Sequence, residues 1–203
     1  MLQQITPENG IRIVNYSGKK RENHYYPWLK LGFKLALETG GRRPGIVYLK
    51  FGDIIEKNGK PGIIRIPDDK INNQFKLTGD DRKFLNIRIT EGMLCLLEEL
   101  DYDQYKGTDR FLLAPEVINK RHTMLSKLTK AFTHYYSQLN TGRHLTLYSC
   151  RRANITIESL KRGAGEPTDH HTDLKVEIEH YIDPKIVAAT RFGSKVFSRS
   201  KKT

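Results

Sequence analysis

Between Tyr148 and Asp183 the chain reads YSCRRANITIESLKRGAGEPTDHHTDLKVEIEHYID, a run rich in residues that can handle a phosphate ester. Adjacent Arg151 and Arg152 come first, then the pair His170 and His171, then Tyr181. A guanidinium offers a planar fork of donors to a phosphate and keeps its charge at every physiological pH. A histidine can donate or relay a proton near neutrality. A tyrosine hydroxyl can attack as a nucleophile and form a covalent intermediate. Together these groups can attack a phosphodiester without a metal. The competing reading is a helix with a basic surface and an ordinary half-buried tyrosine. The choice turns on whether the remaining parts occur upstream, in order.

The chain that must position them has 203 residues, enough for one substantial domain. Thirty-five lysines and arginines against 23 acids leave a net charge of +12, which favours a polyanionic partner. Two cysteines, Cys95 and Cys150, are too few for a disulfide framework and lack metal-ligand spacing. Both read as buried thiols in a reducing compartment. No signal peptide and no apolar run of membrane-spanning length is evident, so a soluble, cytoplasmic protein is expected.

Residues 1–21 read as a polar tail or linker. Apolar residues from Tyr26 to Glu38 predict a buried helix stopped by Thr39-Gly40-Gly41, with a short helical segment at Ile46–Leu49. Strands are expected near 50–54, 62–66 and 84–89, with Asn58-Gly59 as hairpin turn and Gln74–Leu77 as a further strand or hairpin arm. Helices are expected at 91–100 and from Pro115 to Leu139. The face of the latter bearing Lys120, Arg121, Lys127 and Lys130 lies either along a phosphate backbone or in solvent. Ser149 is the expected N-cap of the next helix, which Gly163-Ala164-Gly165 ends; 169–179 should be helical, with Tyr181 beside its end. The fold class is thus α/β (α+β), mainly helical with a small antiparallel sheet.

The stretch LETGGRRPGIVYLKFGDI, residues 37–54, supplies the upstream part. It resembles the first motif of the tyrosine recombinases, the phage integrase family, with Arg42 in the position of the first arginine. Tyr148-Ser149-Cys150-Arg151 resembles the second motif, and His170-His171 followed by Tyr181 the third. The likeness spans residues 22–185, leaving 186–203 as a C-terminal tail that either folds back or is swapped between protomers. It implies that Arg42 and Arg151 clamp the scissile phosphate, Tyr148 and His171 hydrogen-bond it, and Tyr181 attacks phosphorus. It also implies a lysine acid from the β-hairpin, with Lys70 favoured over Lys76. The implied partners are double-stranded DNA and further copies of the chain, as a tetramer on DNA. No metal or cofactor is implied, and no membrane partner.

Three departures from the family pattern stand out. Gly45 occupies a position that is usually acidic, leaving Asp53 or Asp169 as candidate substitutes. Tyr148 replaces a histidine, and the interval from His171 to Tyr181 is one residue longer than usual. These departures support a rival, a catalytically silent DNA-binding protein of the same fold. A type IB topoisomerase would share the tyrosine chemistry.

Overall fold

The N-terminal stretch packs on the body of the protein. In this computed structural model, which describes residues 1–14, 21–162, 168–170 and 174–191, strands β1 (Ile11–Ile13) and β2 (Arg21–Asn23) pair antiparallel. Ile5 is 2% exposed and belongs to the central core. The Tyr135 hydroxyl donates to the carbonyl of Thr6 at 3.2 Å, and Gln138 donates to that of Asn9 at 2.9 Å. The first 14 residues are therefore anchored, in contrast to the expected tail. The sequence signs of it are Met1, Leu2 and Ile5, apolar residues in an otherwise polar run that pack on the core.

Helix α1 (Leu29–Thr39) buries Leu29, Phe33, Leu35 and Ala36, as its apolar periodicity requires. Gly40, at φ +56°, ends it, donating its N–H to the carbonyl of Ala36. This is the left-handed cap that glycine adopts without a Cβ penalty. Helix α2 (Arg43–Val47) follows, with Pro44 in its first turn. Strands β3 (Ile54–Lys57), β4 (Lys60–Pro67) and β5 (Phe84–Arg88) form an antiparallel sheet in that order. Asn58 and Gly59 both have positive φ, the conformation that a two-residue hairpin turn demands. Along β4, Ile64 and Ile66 point into the core and Arg65 points out, the period of two expected of a half-buried strand.

The link between β4 and β5 departs from expectation. Residues 69–74 form helix α3 (Asp69–Gln74), so Gln74–Leu77 is a helix end and turn instead of a strand. Asp68 caps it, accepting from the N–H of Ile71. Asn72 pins the helix to the start of β5, its amide exchanging two hydrogen bonds with the backbone of Lys83.

Helices α4 (Glu91–Glu99) and α5 (Tyr102–Tyr105) lead to α6 (Arg121–Ser137), which starts later than expected because Lys120 sits at φ +62°. Arg121 does not belong to a solvated or phosphate-facing stripe. It is 4% exposed, donates to the carbonyls of Leu113 and Ala114, and lies over the Phe111 ring; burial pushes its pKa down to about 10. Cys95 is exposed rather than buried, while Cys150 is mostly covered. Helix α7 (Tyr148–Arg162) begins at Tyr148, so Ser149 lies within its first turn and accepts from the N–H of Thr146. Helices α8 (Leu174–His180) and α9 (Pro184–Arg191) flank Tyr181. The first part of the expected tail thus folds back, with α9 running against α7. Gly163–Gly165 and residues 192–203 lie outside the described residues. Helices and small antiparallel sheets make an α+β architecture, and no described helix is long and apolar enough to cross a membrane.

If Ile5 is a core residue, Ile5→Ala should cost about 2–5 kcal/mol in urea unfolding. A tail residue would be close to neutral.

Candidate active site

Tyr148, Arg151 and Asn154 recur every third residue of α7, which places them on one helix face. That face meets the end of α1, where a helix leaves its last carbonyls without intrahelical partners. Side chains of α7 take them up. Arg151 Nη1 donates to Gly40 O at 2.7 Å, and Asn154 Nδ2 donates to the carbonyls of Leu37 and Glu38 at 2.9 and 3.0 Å. The approach is close enough to exclude a side chain at position 40. A Cβ there would run into Asn154 Oδ1 and come within 2.8 Å of His170 Nε2.

His170, 5% exposed, completes this inner layer. Its Nδ1 lies 3.2 Å from Arg151 Nη1, and its Nε2 lies 3.0 Å from Asn154 Oδ1. A guanidinium only donates, so Nδ1 is the acceptor; an amide oxygen only accepts, so Nε2 carries the proton. The ring is therefore neutral and its tautomer fixed. Asp169, next in the chain, holds this segment by accepting from Arg88 N at 3.0 Å and pairing with Arg162 at 2.7 Å. Although burial works against the carboxylate, the Arg162 hydrogen bond and the contact with Arg88 keep its pKa below the ordinary value. His171, the histidine expected to contact phosphate, lies outside the described residues.

Arg151 itself is 1% exposed. Its Nε and Nη2 atoms are buried without a close hydrogen-bonding partner among the described residues, and the Tyr181 hydroxyl is the acceptor that offsets part of their burial. Burial and then the like charge of Arg42 lower its pKa, while Tyr181 and Tyr148 work the other way. A cation held in this way gains from an anion brought to its remaining donors. Tyr181 lies on that side, its ring centroid 5.3 Å from the guanidinium carbon. The Tyr148 hydroxyl, on a half-exposed side chain, donates to the Tyr181 hydroxyl at 2.8 Å.

The two phenols are thereby driven apart. For Tyr148, burial and the hydrogen bond it donates raise the pKa. For Tyr181, burial alone would raise it, but the hydrogen bonds from Tyr148 and Arg151 and the charges of Arg151 and Arg42 outweigh burial and lower it. Of the two hydroxyls, Tyr181 is the one poised to ionise.

Arg42 precedes α2 in extended conformation, and its Nη1 pairs with Asp68 Oδ1 at 3.2 Å. This corrects the expectation that Asp53 or Asp169 takes over from the missing acid. Asp53 instead accepts from its own turn, from Lys50 N at 2.8 Å, and Asp169 serves Arg162 and Arg88. Gly45 is a packing requirement, since a Cβ there would come within 2.7 Å of Ile66 Cγ2. The carboxylate therefore comes from the end of β4, opposite α2. Arg43 and Arg152, the second members of each arginine pair, are exposed.

The structure thus brings Arg42, Tyr148, Arg151 and Tyr181 together. Lys70, on α3, and Lys76, just after it, are both exposed, and neither contacts that group among the described residues. Asp68, Asn154 and His170 were missed as site residues. Asn154 was detectable, three positions after Arg151 on a predicted helix. Asp68 had only the weak signal of an acid beginning a turn. No protein-family model, curated protein or solved structure matches this chain. What the site can do is decided by its own chemistry. No metal-binding group of three or more His, Cys, Asp or Glu residues occurs among the described residues.

Two predictions follow from this geometry. In a spectrophotometric titration, with Tyr181→Phe as the difference reference, Tyr181 should ionise below an ordinary tyrosine. Tyr148→Phe removes the donor that stabilises the phenolate, so it should move that ionisation to higher pH. An unmoved or lowered value would show that Tyr148 does not support the phenolate. Separately, introducing an acid through Gly45→Asp should destabilise the fold by about 1–3 kcal/mol or more through overpacking against Ile66, read as a lower urea midpoint.

Proposed function

We propose that this chain is a DNA strand-cleaving and rejoining enzyme with a tyrosine-recombinase catalytic fold, acting through a 3′-phosphotyrosine intermediate. The observation that carries the reading is the Arg151 guanidinium, buried at 1% exposure beside Tyr181, the tyrosine whose ionisation it favours. The helix–arginine–sheet–helix–tyrosine order and the net charge of +12 support it further.

In this reading a DNA phosphate sits between Arg42 and Arg151, which stabilise the charge that develops on its non-bridging oxygens. The Tyr181 oxygen attacks phosphorus as its proton passes to solvent, and the bond to the 5′ oxygen breaks. The products are a 3′-phosphotyrosyl strand and a 5′-oxygen that takes up a proton to become the hydroxyl. Lys70 is the proposed source of that proton, carried by α3 to the substrate when DNA is bound. Attack by a 5′-hydroxyl on the phosphotyrosine reverses the step, so no external energy source is consumed. Double-stranded DNA is the proposed substrate, with four copies of the chain acting together. The proposed place of action is the cytoplasm.

The test uses a library of nicked duplexes of randomised sequence, with SDS-resistant adducts recovered in excess EDTA. Adducts should form with the native chain and vanish with Tyr181→Phe. Arg42→Ala and Arg151→Ala should each lower their yield on the order of 100-fold to 1,000-fold. DNA binding without any adduct would favour the silent DNA-binding protein, and strict dependence on magnesium would reject the mechanism.

A further inference from the structure

Thr156 is 0% exposed and lies on α7, more than one turn beyond Arg151. A threonine inside a helix commonly returns its hydroxyl to the carbonyl four residues back, and Thr156 Oγ1 lies 2.8 Å from Arg152 O. It also reaches outside its own helix. The same oxygen lies 3.0 Å from the carbonyl of Tyr181 and accepts the N–H of Asp183 at 3.0 Å. One hydroxyl has one proton and two lone pairs. The proton is shared between the two carbonyls, and a lone pair takes the Asp183 N–H. The main chain is gripped on both sides of Ile182.

We propose that Thr156 is a positioning residue for Tyr181, its buried hydroxyl clamping the Tyr181–Asp183 main chain onto the helix that carries Tyr148 and Arg151. This rests on the proposed role of Tyr181 as nucleophile. A second hold acts on the same segment from its other side, where the N–H groups of Tyr181 and Ile182 both donate to Glu177 O, at 2.9 and 3.2 Å. Glu177 is itself fully buried and accepts from the Thr168 backbone and hydroxyl at 2.8 and 2.7 Å. Glu177 thus sets where α8 ends, and Thr156 sets how the chain leaves it relative to the arginines. The phenol is long, so a small rotation of this backbone swings its oxygen away from both Tyr148 and the phosphate position. Because the clamp lies within one chain, it delivers Tyr181 to the arginines of its own protomer.

The test compares Thr156→Val, which keeps the shape and removes the hydroxyl, with Thr156→Ser, which keeps the hydroxyl. Two readouts are used: the spectrophotometric titration of Tyr181 without DNA, and single-turnover cleavage of the duplexes recovered as adducts. Thr156→Val should shift the Tyr181 ionisation up towards an ordinary tyrosine and slow cleavage on the order of 100-fold, with DNA affinity unchanged. Thr156→Ser should behave like the native chain in both. The clamp is overturned if Thr156→Val titrates and cleaves like the native chain, or if Thr156→Ser is impaired as much as Thr156→Val, which would assign the effect to packing of the methyl. If the native chain forms no adduct, the nucleophilic role is lost and with it this proposal, whereas a native adduct with an indifferent Thr156→Val removes only the clamp.

Discussion

The cost of burying the Arg151 charge governs this structure. A guanidinium at 1% exposure must have its donors satisfied, and the neighbourhood is arranged to do only part of that. The cap of α1 supplies one carbonyl, and a neutral His170 supplies a ring nitrogen. For the carbonyl to come so close, position 40 must be glycine; for the ring nitrogen to accept, His170 must hold its proton on the other side, against Asn154. Arg42 nearby makes the cation more costly still. An anion is what this arrangement favours, and the lowered pKa of Tyr181 reflects the same field.

The rest of the fold can be understood as holding side chains from separate segments around that charge. Helix α7 contributes Tyr148, Arg151, Asn154 and Thr156 from consecutive turns and so acts as a rigid ruler. The end of β4 contributes Asp68, which pairs with Arg42 and also caps α3, so one carboxylate fixes an arginine and the helix bearing Lys70. The contact between Gly45 and Ile66 explains why that carboxylate comes from the sheet: α2 packs too closely on β4 for a side chain at position 45.

How much of this was legible depended on distance along the chain. Arg151 and Tyr181 could be picked out because their residue types carry the chemistry, whereas Arg42 and Tyr148 were singled out by resemblance to the recombinase motifs. The α1 helix, its glycine stop and the Asn58-Gly59 turn were legible because their signals are local. The Arg42–Asp68 pair joins residues 26 apart and leaves no local mark. His170 and His171 are adjacent, and residue type alone does not say which one faces Arg151. Helix α3 was missed because its six residues show no apolar periodicity; it is held by the Asp68 cap and the Asn72 bonds to β5. Arg121 was read as surface charge because composition cannot reveal that two carbonyls and an aromatic ring enclose it.

The anion-binding role of Arg151 can be observed directly in crystals soaked with tungstate, a phosphate-like ion with a strong anomalous signal. An anion bound by Arg151 and Arg42, within hydrogen-bonding distance of the Tyr181 hydroxyl, is the expected result. Tungstate bound elsewhere on this basic surface, with Arg151 left unengaged, would contradict it.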